Sequence, residues 1–111
     1  MRSGAEGEAR VAQAYTDAGW SVLSCNWRGG GGELDLVVIR ERRLRFVEVK
    51  TRAADDPVGL ESVGAAKRRR LIGAARAWLH EFEGTCDEMA FAVALVEPAG
   101  ITVYDDAFDV E

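Results

Sequence analysis

Asp35, Glu48 and Lys50 combine two carboxylates and an amine at spacings that paired strands can bring onto one surface. Side chains alternate across a strand, so Glu33 and Asp35 share one face of the run 33–40, and Phe46, Glu48 and Lys50 share one face of the run 44–51. In an antiparallel hairpin, opposed residues have a constant index sum. A two-residue loop at Glu41 and Arg42 gives a sum of 83 and sets Asp35 opposite Glu48, while a loop at Arg42 and Arg43 sets it opposite Lys50. Either register gathers the three groups. Two carboxylates about 4 Å apart repel by about 4 kcal/mol at an effective dielectric near 20, and one lysine does not offset that. Oxygen donors with waters suit Mg²⁺ or Mn²⁺, which would polarise a phosphate, lower the pKa of a bound water and stabilise a leaving oxygen. Zinc is disfavoured because His80 is the sole histidine and Cys25 and Cys86 lack partners. Lys50 would position the attacking water or stabilise the charged transition state.

The elements that must position these groups are legible as periodicities. Ser3 and Glu6 have the spacing of a capping box, so a helix starts there and ends by Gly19. Ala5, Val11, Ala12, Tyr15 and Ala18 form its apolar stripe, and Glu8 lies three, four and seven residues from Val11, Ala12 and Tyr15, which turns a carboxylate inward. Residues 20–27 read as a strand broken by Arg28 and the four glycines 29–32. Those glycines form a turn rather than a phosphate loop, since no Gly-Lys-Ser or Gly-Lys-Thr follows. Residues 33–40 and 44–51 form the hairpin, and 53–61 a loop. Leu71, Ala74, Ala75, Trp78 and Phe82 define a second helix over 63–83. Residues 89–96 are a continuous apolar strand, 97–100 a turn and 101–104 a short closing strand. The resulting class is α/β, a mixed β-sheet flanked by helices in the order α-β-β-β-α-β-β.

The chain has 111 residues, enough for one domain over 1–111, and its mean hydropathy of -0.12 is that of a globular mixture. Its longest apolar run, 89–96, is far below the roughly 18 residues that span a bilayer, and the first ten residues lack the apolar core of a signal peptide. No membrane association and a cytoplasmic location are expected, with both cysteines reduced. The net charge of -5 conceals an asymmetry. All 14 Lys and Arg lie before residue 80, against 10 acids, whereas residues 80–111 carry nine acids and no Lys or Arg. A local basic surface can therefore form on an acidic protein, while the pI near 4.9 argues against tight non-specific binding to a polyanion. A nucleic-acid partner must then be met locally, with help from a metal.

Asp35 with Glu48-Val49-Lys50 resembles the D...ExK core of the PD-(D/E)XK nuclease superfamily. More narrowly, the chain resembles the YraN-like family of small uncharacterised bacterial proteins. The likeness runs through Gly7-Glu8, Asn26-Trp27-Arg28, Gly32-Glu33-Leu34-Asp35-Leu36, Phe46-Val47-Glu48-Val49-Lys50-Thr51-Arg52, Lys67, Arg70-Leu71, Ala74, Trp78-Leu79 and Ala107-Phe108. The resemblance implies a restriction endonuclease-like core, similar to Holliday-junction resolvases, and a metal-dependent endonuclease acting on branched or single-stranded DNA. It implies Asp35 and Glu48 as metal ligands together with the carbonyl of Val49, Lys50 as catalytic, and Glu8 in the role of the first-helix acid of related resolvases. Those resolvases are dimers, which leaves a homodimer open. One departure is visible: the family's fourth strand usually reads Arg-Phe-Asp-Val-Val, and this chain has Ala90-Phe91-Ala92-Val93-Ala94.

For DNA contact the candidates are Arg28, Arg42, Arg43, Arg52, Lys67 and Arg70. Lys67 and Arg70 border the apolar stripe of the second helix and can lean toward phosphates, or belong to a solvated helix face. Arg42, Arg43 and Arg45 surround the hairpin tip, where they can hold a nucleic-acid backbone or protect an exposed turn. Arg28 and Arg52 are alternatives as partners of Glu33. Glu48 and Lys50 equally fit the solvent face of an amphipathic strand. The competing functional expectation is a non-catalytic nucleic-acid-binding module on the same fold, to which Ala90, Ala92 and the pI near 4.9 lend weight.

Overall fold

The computed structural model describes residues 3–51 and 64–105. Helix α1 spans Ser3–Asp17, strands β1, β2 and β3 span Ser21–Gly29, Gly32–Arg40 and Arg43–Thr51, helix α2 spans Ala65–Glu81, and β4 and β5 span Glu88–Glu97 and Gly100–Tyr104. The five strands form one sheet in sequence order, β1 to β5. β3 and β4 run parallel and the other neighbours run antiparallel. α2 is the crossover between the two parallel strands, so the mixed α/β architecture expected from the periodicities is the one observed. Among the described residues, no helix is long and apolar enough to cross a membrane.

Each helix covers one face of the sheet. On one side Leu71, Ala74, Ala75 and Trp78 of α2 pack on Leu34, Val37, Leu44, Phe46 and Phe91. On the other, Val11 and Tyr15 of α1 pack on Leu36, Val38, Val47, Ala92, Ala94 and Val96. β4 faces both layers, which is why its sequence is apolar without alternation. The stripe read for α2 is the one it buries. In α1 the contact is narrower, since Ala5 in its first turn is exposed and Ala18, also exposed, falls one residue past its end.

β1 runs two residues further than its strand formers suggest, because Gly29 and Gly32 pair with each other and only Gly30 and Gly31 form the turn. Their φ values of 60° and 86° suit the two-residue type I′ hairpin that the twist of the strands favours. This turn lies directly under α2. A Cβ on Gly73 would come within 2.6 Å of the Gly30 carbonyl oxygen, and one on Gly30 would collide with the Gly73 carbonyl. A glycine inside a helix ordinarily costs about 0.5–1 kcal/mol relative to alanine. Here the backbone contact reverses the sign: Gly73→Ala is expected to destabilise by about 1–3 kcal/mol, read from the denaturation midpoint, because α2 must lift off the hairpin.

The second hairpin turns at Glu41 and Arg42, with φ of 54° and 69°, and its observed pairs from Leu36↔Val47 to Arg40↔Arg43 have the index sum of 83. Neither residue is glycine, asparagine or aspartate, so the turn is held from outside. The Arg42 guanidinium donates two 2.9 Å bonds to Asp87 and one of 2.8 Å to Thr85, and the Asp87 N–H donates to the Arg42 carbonyl at 2.7 Å.

Candidate functional site

The site lies at the carboxyl end of β3, where β2 and β3 separate. Their ladder stops at Leu36↔Val47. The next N–H of β3 facing β2 is that of Val49, and it donates instead to Asp35 Oδ2 at 2.8 Å. N–H and C=O of one strand residue point toward the same neighbour, so the Val49 carbonyl also faces the strand of Asp35. The pleat of β2 is interrupted at the same place: Leu34 packs under α2 while Leu36 packs under α1. In β1 the matching step is Asn26, at φ 51°, between Cys25↔Leu36 and Trp27↔Leu34. Asparagine tolerates this left-handed conformation better than most residues. Asn26 therefore helps to place Asp35, a role that its strand context concealed and that its side-chain type could have signalled.

Asp35 and Glu48 line one cleft of about 150 Å³ with Gly32, Glu33, Lys67, Arg70 and Leu71. Burial pushes the Asp35 carboxyl up to about 7. The Glu48 charge and a hydrogen bond between the two carboxyl groups add to the rise, Glu8 contributes from α1, and the Val49 N–H opposes it. Glu8 is half-buried, and Gly7 beside it lets α1 close on Thr51 at the end of β3, where a Cβ would collide with the threonine hydroxyl. The Glu48 side chain is only 9% exposed, and Lys67 Nζ sits 2.7 Å from its Oε2. A buried carboxylate requires such a cation. Lys50 is half-buried two residues beyond Glu48, on the same side of the pleat.

The raised Asp35 has a consequence for stability. The folded chain keeps this proton up to about pH 7, while the unfolded chain releases it near 4, so stability from this group is present below 4 and lost as pH rises to 7. Asp35→Asn is therefore expected to stabilise the metal-free protein by up to about 4 kcal/mol above pH 7 and by nothing below pH 4. Urea midpoints across that range check it.

Among the described residues, no three His, Cys, Asp or Glu side chains converge closely enough to hold a metal by themselves. The donors that do converge are the carboxylates of Asp35 and Glu48, beside the backbone of Val49. This all-oxygen set fits Mg²⁺ or Mn²⁺, which characteristically take one or two carboxylates and fill the remaining positions with water or phosphate.

The basic candidates divide by location. Lys67 and Arg70 line the cleft, and Arg28 stands beside it, 3.5 Å from Glu33 Oε1. Arg42 and Arg43 are at the opposite end of β3, about 17–20 Å from Glu48 at about 3.3 Å per residue. There Arg42 holds Asp87, and Arg43 lies 3.5 Å from Glu88. Arg45 is not at the surface. It is 6% exposed, bonded to Asp105 at 2.8 Å, with its guanidinium 5.6 Å from the Trp20 ring. Its neighbour in β4 is Ala90, and Ala92 is also buried, so both departures from the family pattern fall on this side of the sheet, away from the cleft. Trp27 packs against the core under α2, His80 is exposed and both cysteines are free. Arg52, the expected loop 53–61, and Ala107-Phe108 lie outside the described residues.

Residues 7–110 match the model of the uncharacterised protein family UPF0102. A UPF0102 protein of Synechococcus sp. (strain JA-3-3Ab) is 46% identical over 97 residues, covering 85% of this chain and 74% of its own. One of Dinoroseobacter shibae is 44% identical over 101 residues, covering 90% and 75%. One of Nitratidesulfovibrio vulgaris (strain DP4) is 39% identical over 115 residues, covering 96% and 84%. The match takes in every residue that forms the cleft, and the chain belongs to the UPF0102 family, the YraN-like proteins of the sequence resemblance.

Proposed function

We propose that this protein is a metal-dependent endonuclease of restriction endonuclease-like fold that hydrolyses phosphodiester bonds in DNA, with branched or single-stranded DNA as the substrate class. The observation that carries this reading is the Asp35–Glu48 pair in a small cleft at the parting of β2 and β3, with Lys50 following on the same side of β3. The order α-β-β-β-α-β and the parallel β3–β4 pair bridged by α2 are consistent with that core.

Asp35, Glu48 and the Val49 carbonyl would hold Mg²⁺ or Mn²⁺. When bound, the ion supplies Lewis-acid polarisation of the phosphate and a water of lowered pKa. The chain's own groups do the rest. Lys50 orients the attacking water and offsets the charge that builds on the phosphoryl oxygens. Lys67, Arg70 and Arg28, grouped at one end of the sheet, hold the backbone phosphates around the scissile one. Glu8 adds negative charge that strengthens cation retention. The basic run 67–70 offsets locally the net charge of -5, so DNA is engaged at this end of an otherwise acidic molecule.

A non-catalytic nucleic-acid-binding module is the competing reading. One observation favours it: the Lys67–Glu48 ion pair gives Glu48 a purely structural partner. Incubation with branched and single-stranded DNA in Mg²⁺, in Mn²⁺ and in chelator separates the two. Cleavage that requires the metal supports the enzyme. Salt-sensitive binding without turnover under any of these conditions supports the module.

A further inference from the structure

The first turn of α2 has the wrong charge for a helix. It carries Lys67 and Arg68 and no acid, its N-cap is Gly64, and among the described residues no side chain caps it. The N-terminal end of a helix is electropositive and stabilises anions, so lysines and arginines there are disfavoured unless an anion faces them. The anion that faces Lys67 is Glu48, at 2.7 Å, on a side chain whose exposure is only 9%. Lys67 itself is one-third exposed and opens into the cleft that it shares with Asp35 and Arg70. Its flexible stem can therefore swing away from Glu48 into the cleft without disturbing the core.

We propose that Lys67 is a built-in competitor for the divalent cation: in the metal-free protein its ammonium occupies the cation position on Glu48, and metal binding displaces it into the cleft, where it faces the substrate phosphate. This rests on the reading of Asp35 and Glu48 as the metal ligands. Displacement links two events in one side chain. Glu48 is freed for the metal as a cation is delivered to the phosphate, so the site is charged for catalysis only when loaded. Arg70 borders the same cleft, yet the ion pair with Glu48 is made by Lys67.

The test is calorimetric titration of Mn²⁺ into the wild type, Lys67→Met and Arg70→Met. Lys67→Met, which keeps the stem and removes the charge, is expected to bind Mn²⁺ at least about tenfold more tightly, and Arg70→Met to differ from wild type by no more than about twofold. Equal affinity of wild type and Lys67→Met overturns the proposal. So does an equal gain in Arg70→Met, which would reveal a general charge effect. A second measurement needs only the wild type. The ¹⁵N resonance of the Lys67 ammonium, assigned with Lys67→Arg, is expected to shift during Mg²⁺ titration in step with the Val49 amide. A Val49 amide that moves while the lysine stays fixed overturns the proposal even if Lys67→Met fails to fold. If neither wild type nor Lys67→Met binds Mn²⁺ and the Val49 amide is unmoved by Mg²⁺, the metal site itself fails, and the inference falls with it.

Discussion

Lys50→Ala is expected to lower metal-dependent DNA cleavage by roughly 10²–10⁴-fold, the usual span for loss of a positioned proton-transfer or charge-stabilising group. Lys50 lies at the end of β3, half-buried, two residues past Glu48. It is outside both hydrophobic clusters, so folding stability should change by less than about 0.5 kcal/mol. Mn²⁺ affinity should be retained, because an ammonium donates no lone pair to a metal. The combination of lost turnover with intact folding and metal binding distinguishes a catalytic lysine from the outer face of an amphipathic strand. Single-turnover cleavage beside calorimetry checks it, and unchanged cleavage would remove Lys50 from the mechanism.

Phe46→Ala is expected to destabilise the fold by about 3–5 kcal/mol. Phe46 is 1% exposed and stands at the centre of the layer under α2, with its ring 5.8 Å from Trp78 and 5.4 Å from Phe91. Alanine would leave a cavity bounded by three elements, β3, β4 and α2, which cannot close without moving the helix that carries Lys67. A domain of this size typically has only about 5–15 kcal/mol of stability. The loss should appear as a lower urea midpoint at unchanged slope. A change below about 1 kcal/mol would mean that this layer repacks freely.

The hairpin that brings Asp35 toward Glu48 was legible because a two-residue turn within residues 41–43 limits the register to two choices. The strands took the sum of 83, one of the two anticipated. The α2 stripe was legible because every fourth or third residue meets one sheet face. What local pattern could not reveal was the parting of β2 and β3 after Leu36↔Val47. Its cause is non-local: the Asp35 carboxylate takes the Val49 N–H, while Asn26 in a third strand absorbs the step in the pleat. The fate of the arginines was hidden likewise. Arg42, Arg43 and Arg45 are neighbours in sequence, but their partners Asp87, Glu88 and Asp105 come from segments more than 40 residues away. Two became clasps at the far end of the sheet and one was buried. For Lys67 the sequence left two readings open, leaning toward phosphates or lying on a solvated helix face, and the structure places it at the cleft. Its grip on Glu48 is non-local, joining α2 to β3 across 19 positions of sequence, and α2 is seated by the close approach of Gly73 to Gly30.

The most direct test of the metal site is calorimetric titration of Mn²⁺ into the wild type and the Asp35→Ala, Glu48→Ala double variant, followed by cleavage assays on branched and linear DNA with the same samples. Binding by the wild type alone, with metal-dependent cleavage lost in the double variant, is the predicted result. Absence of Mn²⁺ binding to the wild type, with and without DNA, would contradict it and leave a binding module on this fold.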